Sequence, residues 1–235
     1  MDFKLTPEQI DIKKAAREFA ENEFSPELME ECDREEGYPM EVVKKARDLG
    51  FSTIKIPEEY GGMGLTLFEE ALITEEFYRV SPGIGNACLS STFGTELLIL
   101  FGNEEQKEKY LRWITEKHGI SAMATTEPEA GSDVANVKMK IVKEGDEWVI
   151  NGVKTFITNG TVCDFVLVLG RTYDGEKRHH GLTFAIIESK MKGFKATKIK
   201  NKLGLRASDT AEIVLKDVRV GDENILGEPG KGFYY

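Results

Sequence analysis

Two short stretches in the second half of the chain combine hydroxyl, carboxylate and apolar side chains in a way that suits ligand binding. The first, Ala124 to Asp133, reads ATTEPEAGSD, and the second, Thr155 to Gly160, reads TFITNG. The first stretch is rich in turn-forming residues and follows the period of neither a helix nor a strand. We therefore expect a binding loop at Ala124 to Asp133, and we expect the second stretch to close a strand.

The hydroxyls of Thr126 and Thr158 suit a ligand that carries hydrogen-bonding atoms. A protein that holds such a ligand needs hydroxyls and backbone amides beside an apolar wall. Either stretch alone would pass for an ordinary surface turn or strand end. Their order and spacing favour a ligand site.

Both stretches resemble the flavin-binding middle domain of the acyl-CoA dehydrogenase family. Three more segments resemble the same family: PEEYGGMG from Pro57 to Gly64, KLGLRASDT from Lys202 to Thr210, and ENILGEPGKGF from Glu223 to Phe233. The resemblance covers nearly the whole chain and implies FAD as the cofactor. The implied FAD contacts are Met123, Ala124, Thr125, Thr126, Gly131, Ser132, Phe156, Ile157 and Thr158.

The resemblance also implies roles for individual residues. Thr126 would face the pyrimidine side of the flavin, Phe156 would pack on the ring, and Thr158 would point toward N5. Ser132, Arg178 and His179 are the implied substrate contacts, with Ser132 near the pantetheine portion of an acyl-CoA. The chain departs from the family at Phe156, where many members have Trp, at Met123, where an aromatic residue is frequent, and at Thr125, where an apolar residue is usual.

The activity implied by the family is the α,β-dehydrogenation of an acyl-CoA thioester to the 2-enoyl-CoA, in fatty acid metabolism and β-oxidation. Electrons would pass to an electron-transfer flavoprotein, and the complete protein would be a homotetramer. Family members continue past the position of Tyr235 into a helical domain that supplies the catalytic glutamate. No catalytic residue is therefore predicted within this chain.

Consecutive aromatic residues at the end of the chain, Phe233 to Tyr235, lead us to expect a truncated sequence. Three alternatives stay open: a shortened dehydrogenase, one half of a split enzyme whose C-terminal helical part is a separate subunit, or a non-catalytic subunit that binds acyl-CoA or assembles with a partner. An acyl-CoA oxidase or a flavin monooxygenase on the same scaffold also stays open. Acyl-chain length cannot be predicted.

Other candidate sites are weaker. Glu127 and Glu129 alternate in a loop, which gives no sign that they converge as paired catalytic carboxylates. The segment Gly227 to Gly232 is too short for a phosphate loop and reads as a turn. His179 and His180 lack metal-ligand spacing, so no metal site is predicted. Arg206, with its polar neighbours Ser208 and Asp209, reads as structural support.

Composition excludes some classes of function. The chain of 235 residues has 31 basic and 41 acidic residues, a formal charge of −10, which opposes binding to nucleic acid. Its three scattered cysteines suit a reducing compartment. No run reaches membrane-spanning length, and Asp2 with an acidic first helix does not fit a signal peptide. We expect a prokaryotic, cytoplasmic protein that binds neither membrane nor nucleic acid.

The elements that position these stretches fall into two halves. Helical signals fill the first: a capping box at Thr6, a helix from near Pro39 that ends at Gly50, a helix over Thr66 to Val80, one buried helix over Gly85 to Phe101, and a helix capped by Asn103. Period-two alternation begins near Val137.

Turns are predicted at Gly145-Asp146 and again at Asn151-Gly152, and further strands follow at 165–169, 182–188, 194–199 and 211–220. The predicted fold class is α+β, an N-terminal all-helical domain followed by an antiparallel β-barrel or sandwich. The predicted domains are residues 1–119 and 120–235.

Overall fold

A computed structural model of the protein describes residues 4–235, so Asp2 lies outside the described residues. These residues form two compact units. We call the part up to Ser91, together with Lys200–Asp209, the helical unit, and Thr92–Ile199 with Thr210–Tyr235 the sheet unit. The predicted fold class, helices first and a β domain after them, is confirmed. The predicted domain boundary after residue 119 stays a prediction.

Several helices begin where a side chain accepts from a free backbone amide. The capping box predicted at Thr6 is present, and further capping boxes start helices at Thr66 and Asn103. Gly50, with φ 81°, follows the helix predicted near Pro39. The α-helices of the described chain are α1 Pro7–Glu23, α2 Pro26–Glu35, α3 Met40–Asp48, α4 Leu67–Val80, α5 Pro82–Leu89, α6 Thr95–Phe101 and α7 Glu104–Lys117.

Four phenylalanines from different segments form the centre of the helical unit. Phe19 lies 5.3 Å from Phe51 and 5.5 Å from Phe77, measured between ring centroids, and Phe24 packs edge-on against Phe77 at 5.3 Å. Edge and offset contacts of this kind add to the free energy of burying the rings. A Cβ on Gly85 would lie 3.1 Å from the Phe77 backbone, so this glycine lets α5 approach α4 closely.

The single helix predicted over Gly85 to Phe101 is wrong, because the chain breaks between α5 and α6. Gly94 precedes α6 with φ 92°, a left-handed conformation that glycine adopts without strain. Thr92 pairs with Ser121, whose hydroxyl donates to the Phe93 carbonyl at 3.1 Å. The segment from Gly85 to Phe101 is mostly small and apolar, so its sequence pattern does not show the break. The break depends on Gly94 and on the contacts of Thr92 and Phe93 with Ser121.

The sheet unit contains one mixed sheet in the order β6-β7-β3-β2-β4-β5-β8, with β1 paired to β4. Most neighbours are antiparallel, while β1 and β2 each pair with β4 in parallel. The strands are β1 Ser121–Ala124, β2 Lys140–Glu144, β3 Glu147–Thr158, β4 Phe165–Arg171, β5 Leu182–Glu188, β6 Phe194–Lys198, β7 Thr210–Val220 and β8 Ile225–Leu226.

The predicted second turn at Asn151-Gly152 is wrong, since β3 runs through it without a break. Gly152 has φ 154° and lies at a register shift against β7, so the dipeptide forms a bulge in a long strand. The hairpin turn at Gly145-Asp146 and the four later strands are confirmed. The short strands β1 and β8 were not predicted.

Helix α7 packs on the sheet through polar and aromatic side chains. Gln106 donates to the backbone carbonyls of Glu223 and Ile225 at 2.9 and 2.8 Å, and Tyr110 lies 4.8 Å from the Phe165 ring. Over residues 4–235, none of the helices combines the length and the apolar character needed to cross a bilayer.

Candidate functional site

The loop from Ala124 to Asp133 leaves the end of β1 and is held in place from inside. Glu127 and Ala130 exchange backbone hydrogen bonds of 2.9 and 3.1 Å, which close a tight turn. The Glu127 carboxylate is buried and accepts from the backbone amides of Lys138 and Met139 at 2.8 and 2.9 Å. The segment therefore forms a loop, as predicted, and hydrogen bonds to the buried Glu127 carboxylate fix its conformation.

The second predicted stretch forms the end of β3 and contains a bulge. The register against β7 shifts between Lys154 and Ile157, and Phe156 adopts φ 57°. A positive φ is costly for a bulky residue and is kept only where the surrounding structure enforces it. The bulge leaves the Phe156 ring 67% exposed while Ile157 is buried. An aromatic face is thus presented to solvent beside the loop.

The structure brings the two stretches together. The Thr155 amide donates to the Thr126 carbonyl at 3.0 Å, and the Lys154 ammonium donates to the Thr125 carbonyl at 2.8 Å. Residues 29 positions apart in the sequence therefore share one local site next to Phe156.

Thr126 and Thr158 are half-buried. Within residues 4–235 neither hydroxyl makes a side-chain hydrogen bond, so both can bond to a ligand. Two hydroxyls beside an exposed aromatic ring suit a planar ligand that has polar atoms on its edge.

A cavity of about 400 Å³ lies in the sheet unit, and Met123 and Thr125 line it. This volume falls in the range of small-molecule sites. Its other lining residues are mostly apolar and come from five segments: Phe93, Gly94, Glu96, Leu97, Val134, Leu169, Phe184, Gly232, Phe233 and Tyr235. None of these residues was predicted to line a site: Gly232 was assigned to a turn, and Phe233 and Tyr235 to the aromatic end of the chain.

The predicted substrate contacts lie outside the lining of this cavity but close to one another. Arg178 forms an ion pair with Asp133, the residue that follows Ser132. The His179 ring lies 5.1 Å from the Phe233 ring, and Phe233 does line the cavity. Ser132 and Gly131 are exposed on the loop. Ser132, Arg178 and His179 therefore form a polar margin near an apolar cavity.

Arg171, at the end of β4, joins the two loops that carry this margin. Its half-buried guanidinium donates to the carbonyls of Ala135 and Val137 at 2.8 and 3.1 Å. It also donates to the carbonyls of Arg178 and His180 at 3.0 and 3.1 Å. This residue was not predicted from the sequence, because no local pattern marks an arginine whose hydrogen-bond partners are backbone carbonyls distant in the chain.

The weaker candidates take structural roles. Glu127 pairs with Lys154 while Glu129 is exposed and pairs with Lys138, so the two carboxylates serve different partners. Gly227 and Gly230 adopt positive φ in a turn, as predicted.

Arg206 bonds within the helical unit, to the Asp33 carbonyl and to the Glu36 carboxylate. Within residues 4–235, no cluster of three or more His, Cys, Asp or Glu residues could hold a metal ion.

Comparison with known proteins identifies both halves. Residues 6–118 match the family model "Acyl-CoA dehydrogenase, N-terminal domain", and residues 122–218 match "Acyl-CoA dehydrogenase, middle domain". A short-chain-specific acyl-CoA dehydrogenase of Clostridium acetobutylicum is 42% identical over 99% of this chain. The alignment covers 61% of that relative, so the chain spans about three fifths of its length.

Two solved structures match with similar coverage of this chain. One, described as the electron transferring flavoprotein of Acidaminococcus fermentans, has a TM-score of 0.92 at 40% identity over 100% of this chain and 61% of the matched chain. The other, an acyl-CoA dehydrogenase from Bacillus anthracis complexed with FAD, has a TM-score of 0.88 at 34% identity over 98% of this chain and 40% of the other. From the two domain matches together, we conclude that this chain belongs to the acyl-CoA dehydrogenase family, of which it carries the N-terminal and middle domains.

Proposed function

We propose that the chain forms part of an FAD-dependent acyl-CoA dehydrogenase, which converts an acyl-CoA thioester to the 2-enoyl-CoA. One observation carries the proposal: Thr126 and Thr158 lie on two backbone-linked segments beside the exposed Phe156 ring, next to an apolar cavity. The relative named for short-chain acyl-CoA substrates and the related structure that contains FAD support it.

The residues present fit a flavin. Phe156 offers an exposed aromatic face, and the Thr126 and Thr158 hydroxyls are available as hydrogen-bonding groups for the edge of the ring. When bound, FAD supplies the acceptor for the hydride that leaves the β carbon of the substrate. The proposed FAD contacts are Met123, Ala124, Thr125, Thr126, Gly131, Ser132, Phe156, Ile157 and Thr158.

For the substrate, we propose that Ser132, Arg178 and His179 contact the CoA portion of the thioester. The apolar cavity beside Met123 and Thr125 would take the acyl chain and exclude water from it. A dry, shaped cavity fixes the acyl chain so that its α and β carbons are presented in one orientation.

Removal of the α proton needs a base opposite the flavin. No residue of this chain is assigned that role. We propose that the base comes from a C-terminal helical domain or a separate subunit, consistent with a chain that spans three fifths of its relative. We further propose that the complete protein is a cytoplasmic homo-oligomer with a role in β-oxidation. We also propose an electron-transfer flavoprotein as its electron acceptor, which the similarity to the Acidaminococcus structure supports.

Titration of the 235-residue chain with FAD, followed by flavin fluorescence, tests the cofactor part of the proposal. We expect saturable binding, and we expect Phe156→Ala to raise the Kd by about tenfold because an aromatic packing surface is lost. Phe68→Ala is the matched control, since Phe68 is 51% exposed on α4 in the helical unit. Equal effects of the two substitutions would contradict the assignment of Phe156.

The alternative is a non-catalytic subunit that binds acyl-CoA or assembles with a partner. Protein purified from its native source distinguishes the two by subunit mass and absorption spectrum. A flavin spectrum with a longer subunit, or with a second co-purifying chain, supports the dehydrogenase. A single chain of this length without flavin supports the alternative.

A further inference from the structure

A buried ion pair lies directly behind the candidate flavin site. The Lys154 ammonium lies 2.9 Å from a Glu127 carboxylate oxygen, and the two side chains are 0% and 8% exposed. Buried charges pay a large desolvation penalty, so replacing such a pair with apolar residues is often neutral or stabilising. A contribution to folding stability therefore does not explain why this ion pair is buried, and the hydrogen bonds of the pair indicate another role.

Lys154 controls the direction of one peptide group. Its ammonium donates to the Thr125 carbonyl at 2.8 Å. In a trans peptide the carbonyl of one residue and the amide N–H of the next point in opposite directions. The Thr126 N–H is therefore directed away from Lys154. The Thr155 amide holds the following carbonyl, that of Thr126, at 3.0 Å. Both peptides that flank Thr126 are thus fixed from β3.

Glu127 extends the same support to a third segment. Its carboxylate accepts from Lys154 and from the backbone amides of Lys138 and Met139, which precede β2. One buried carboxylate therefore ties the loop to β3 and to the start of β2. Lys154 is also two residues from Phe156, so the same strand segment presents the aromatic ring and fixes the loop.

We propose that Lys154 and Glu127 are positioning residues of the cofactor site, which orient the Thr125-Thr126 peptide so that the amide and hydroxyl of Thr126 face the flavin. This inference rests on the proposed function. Burial lowers the pKa of Lys154 to about 8 despite the attraction of Glu127, so the fold holds this charge at a cost.

The test separates positioning from stability with three variants of the full chain. Lys154→Met removes the ammonium and leaves the Glu127 charge buried without its cationic partner. The double variant Lys154→Met with Glu127→Gln removes both charges. The matched control, Lys138→Met with Glu129→Gln, removes an exposed ion pair between this loop and Lys138 and keeps the Lys138 backbone donor.

Each variant is measured by melting temperature, by FAD Kd, and by the visible circular dichroism of bound flavin at saturation. We expect Lys154→Met to lower the melting temperature by about 10 °C. The double variant should recover part of that loss, because glutamine keeps one acceptor oxygen for the backbone amides of Lys138 and Met139. The FAD Kd of the double variant should stay raised by about tenfold, because the Thr125 carbonyl still lacks its donor. Its flavin dichroism should also differ from that of the unchanged chain. The control should match the unchanged chain in all three measurements.

The inference would be overturned by a double variant with recovered stability, unchanged FAD Kd and unchanged dichroism, because the pair would then contribute to folding alone. If the unchanged chain does not bind FAD, the proposed function fails, and this inference fails with it.

Discussion

Glu69, in the first turn of α4, is a carboxylate that the fold holds in its ionised form. The Thr66 hydroxyl donates to it, the side-chain amide of Gln9 donates at 2.9 Å, and the Thr66 backbone amide donates at 3.0 Å. These hydrogen bonds, that of the Thr66 hydroxyl above all, lower the pKa of Glu69 to about 2. Because Gln9 belongs to α1, the carboxylate also joins α1 to α4.

This lowered pKa predicts a specific acid sensitivity. The unfolded chain binds a proton at Glu69 near pH 4.5, while the folded chain does so only near pH 2. The stabilisation by Glu69 is therefore complete above pH 4.5 and is lost as the pH falls toward 2. We expect Glu69→Gln to lower the free energy of unfolding by about 1–2 kcal/mol at pH 7, since hydrogen bonds to a charged group are replaced by neutral ones.

Urea unfolding at a series of pH values checks this. The difference between the unchanged chain and Glu69→Gln should shrink between pH 4.5 and 2. Glu41→Gln is the control, because Glu41 is 82% exposed in the first turn of α3. A difference for Glu69→Gln that stays constant over this pH range would contradict the assigned cause.

At the scale of elements, local patterns describe the helix starts well and the bulges of β3 poorly. Capping boxes such as that of Thr6 could be predicted because donor and acceptor lie three residues apart. The bulge at Gly152 was read as a turn, since an Asn-Gly pair suits a hairpin and a bulge equally well. The stretch from Ala124 to Asp133 was recognisable because Thr, Gly, Pro and Glu combine there without periodicity.

The cavity could not be predicted from the sequence. Phe93, Leu97, Leu169 and Phe184 resemble ordinary core residues. They come together through the break before α6, the pairing of β1 with β4, and the pairing of β4 with β5, in which Leu169 lies opposite Phe184. Lys154 gave no signal either, since its partners are distant in sequence and one of them is a backbone carbonyl.

Arg171 connects two loops, and this connection allows a prediction at the scale of elements. Its guanidinium donates to four carbonyls in the segments 135–137 and 178–180, and these segments adjoin the proposed CoA contacts. We expect Arg171→Met to raise the Kd for coenzyme A by about tenfold and to change the Kd for FAD less than twofold. Isothermal titration of the full chain with each ligand measures both values.

Two further variants make this test specific. Arg171→Lys should restore little affinity for coenzyme A, because a single ammonium cannot reproduce a planar fork that contacts two loops. Arg219→Met is the control, since Arg219 is 48% exposed and pairs with the exposed carboxylates of Glu144 and Glu147. Equal loss of FAD and coenzyme A affinity in Arg171→Met would indicate general unfolding rather than a displaced loop.

At the scale of the whole molecule, the 235-residue chain exposes several large apolar side chains in its sheet unit. Leu100 on α6 is 69% exposed, Phe156 is 67% exposed, and Phe93 and Phe233 on the cavity lining are 41% and 42% exposed. Single exposed apolar residues are normal, whereas several around one site commonly mark a surface that another molecule covers.

We therefore expect the chain to self-associate and to bind a hydrophobic dye. Size-exclusion chromatography with light scattering should give a mass above the 26.4 kDa of one chain, and the mass should rise with protein concentration. Leu100→Lys should shift the equilibrium toward the monomer, because it replaces an exposed apolar side chain with a charged one. Thr197→Lys is the charge-matched control, since Thr197 is an exposed polar residue on β6 and its substitution adds the same charge. A monodisperse monomer without a dye response would show that these side chains do not drive association. If the two substitutions shift the association equilibrium equally, the cause is the change in net charge, which is −10 in the unchanged chain.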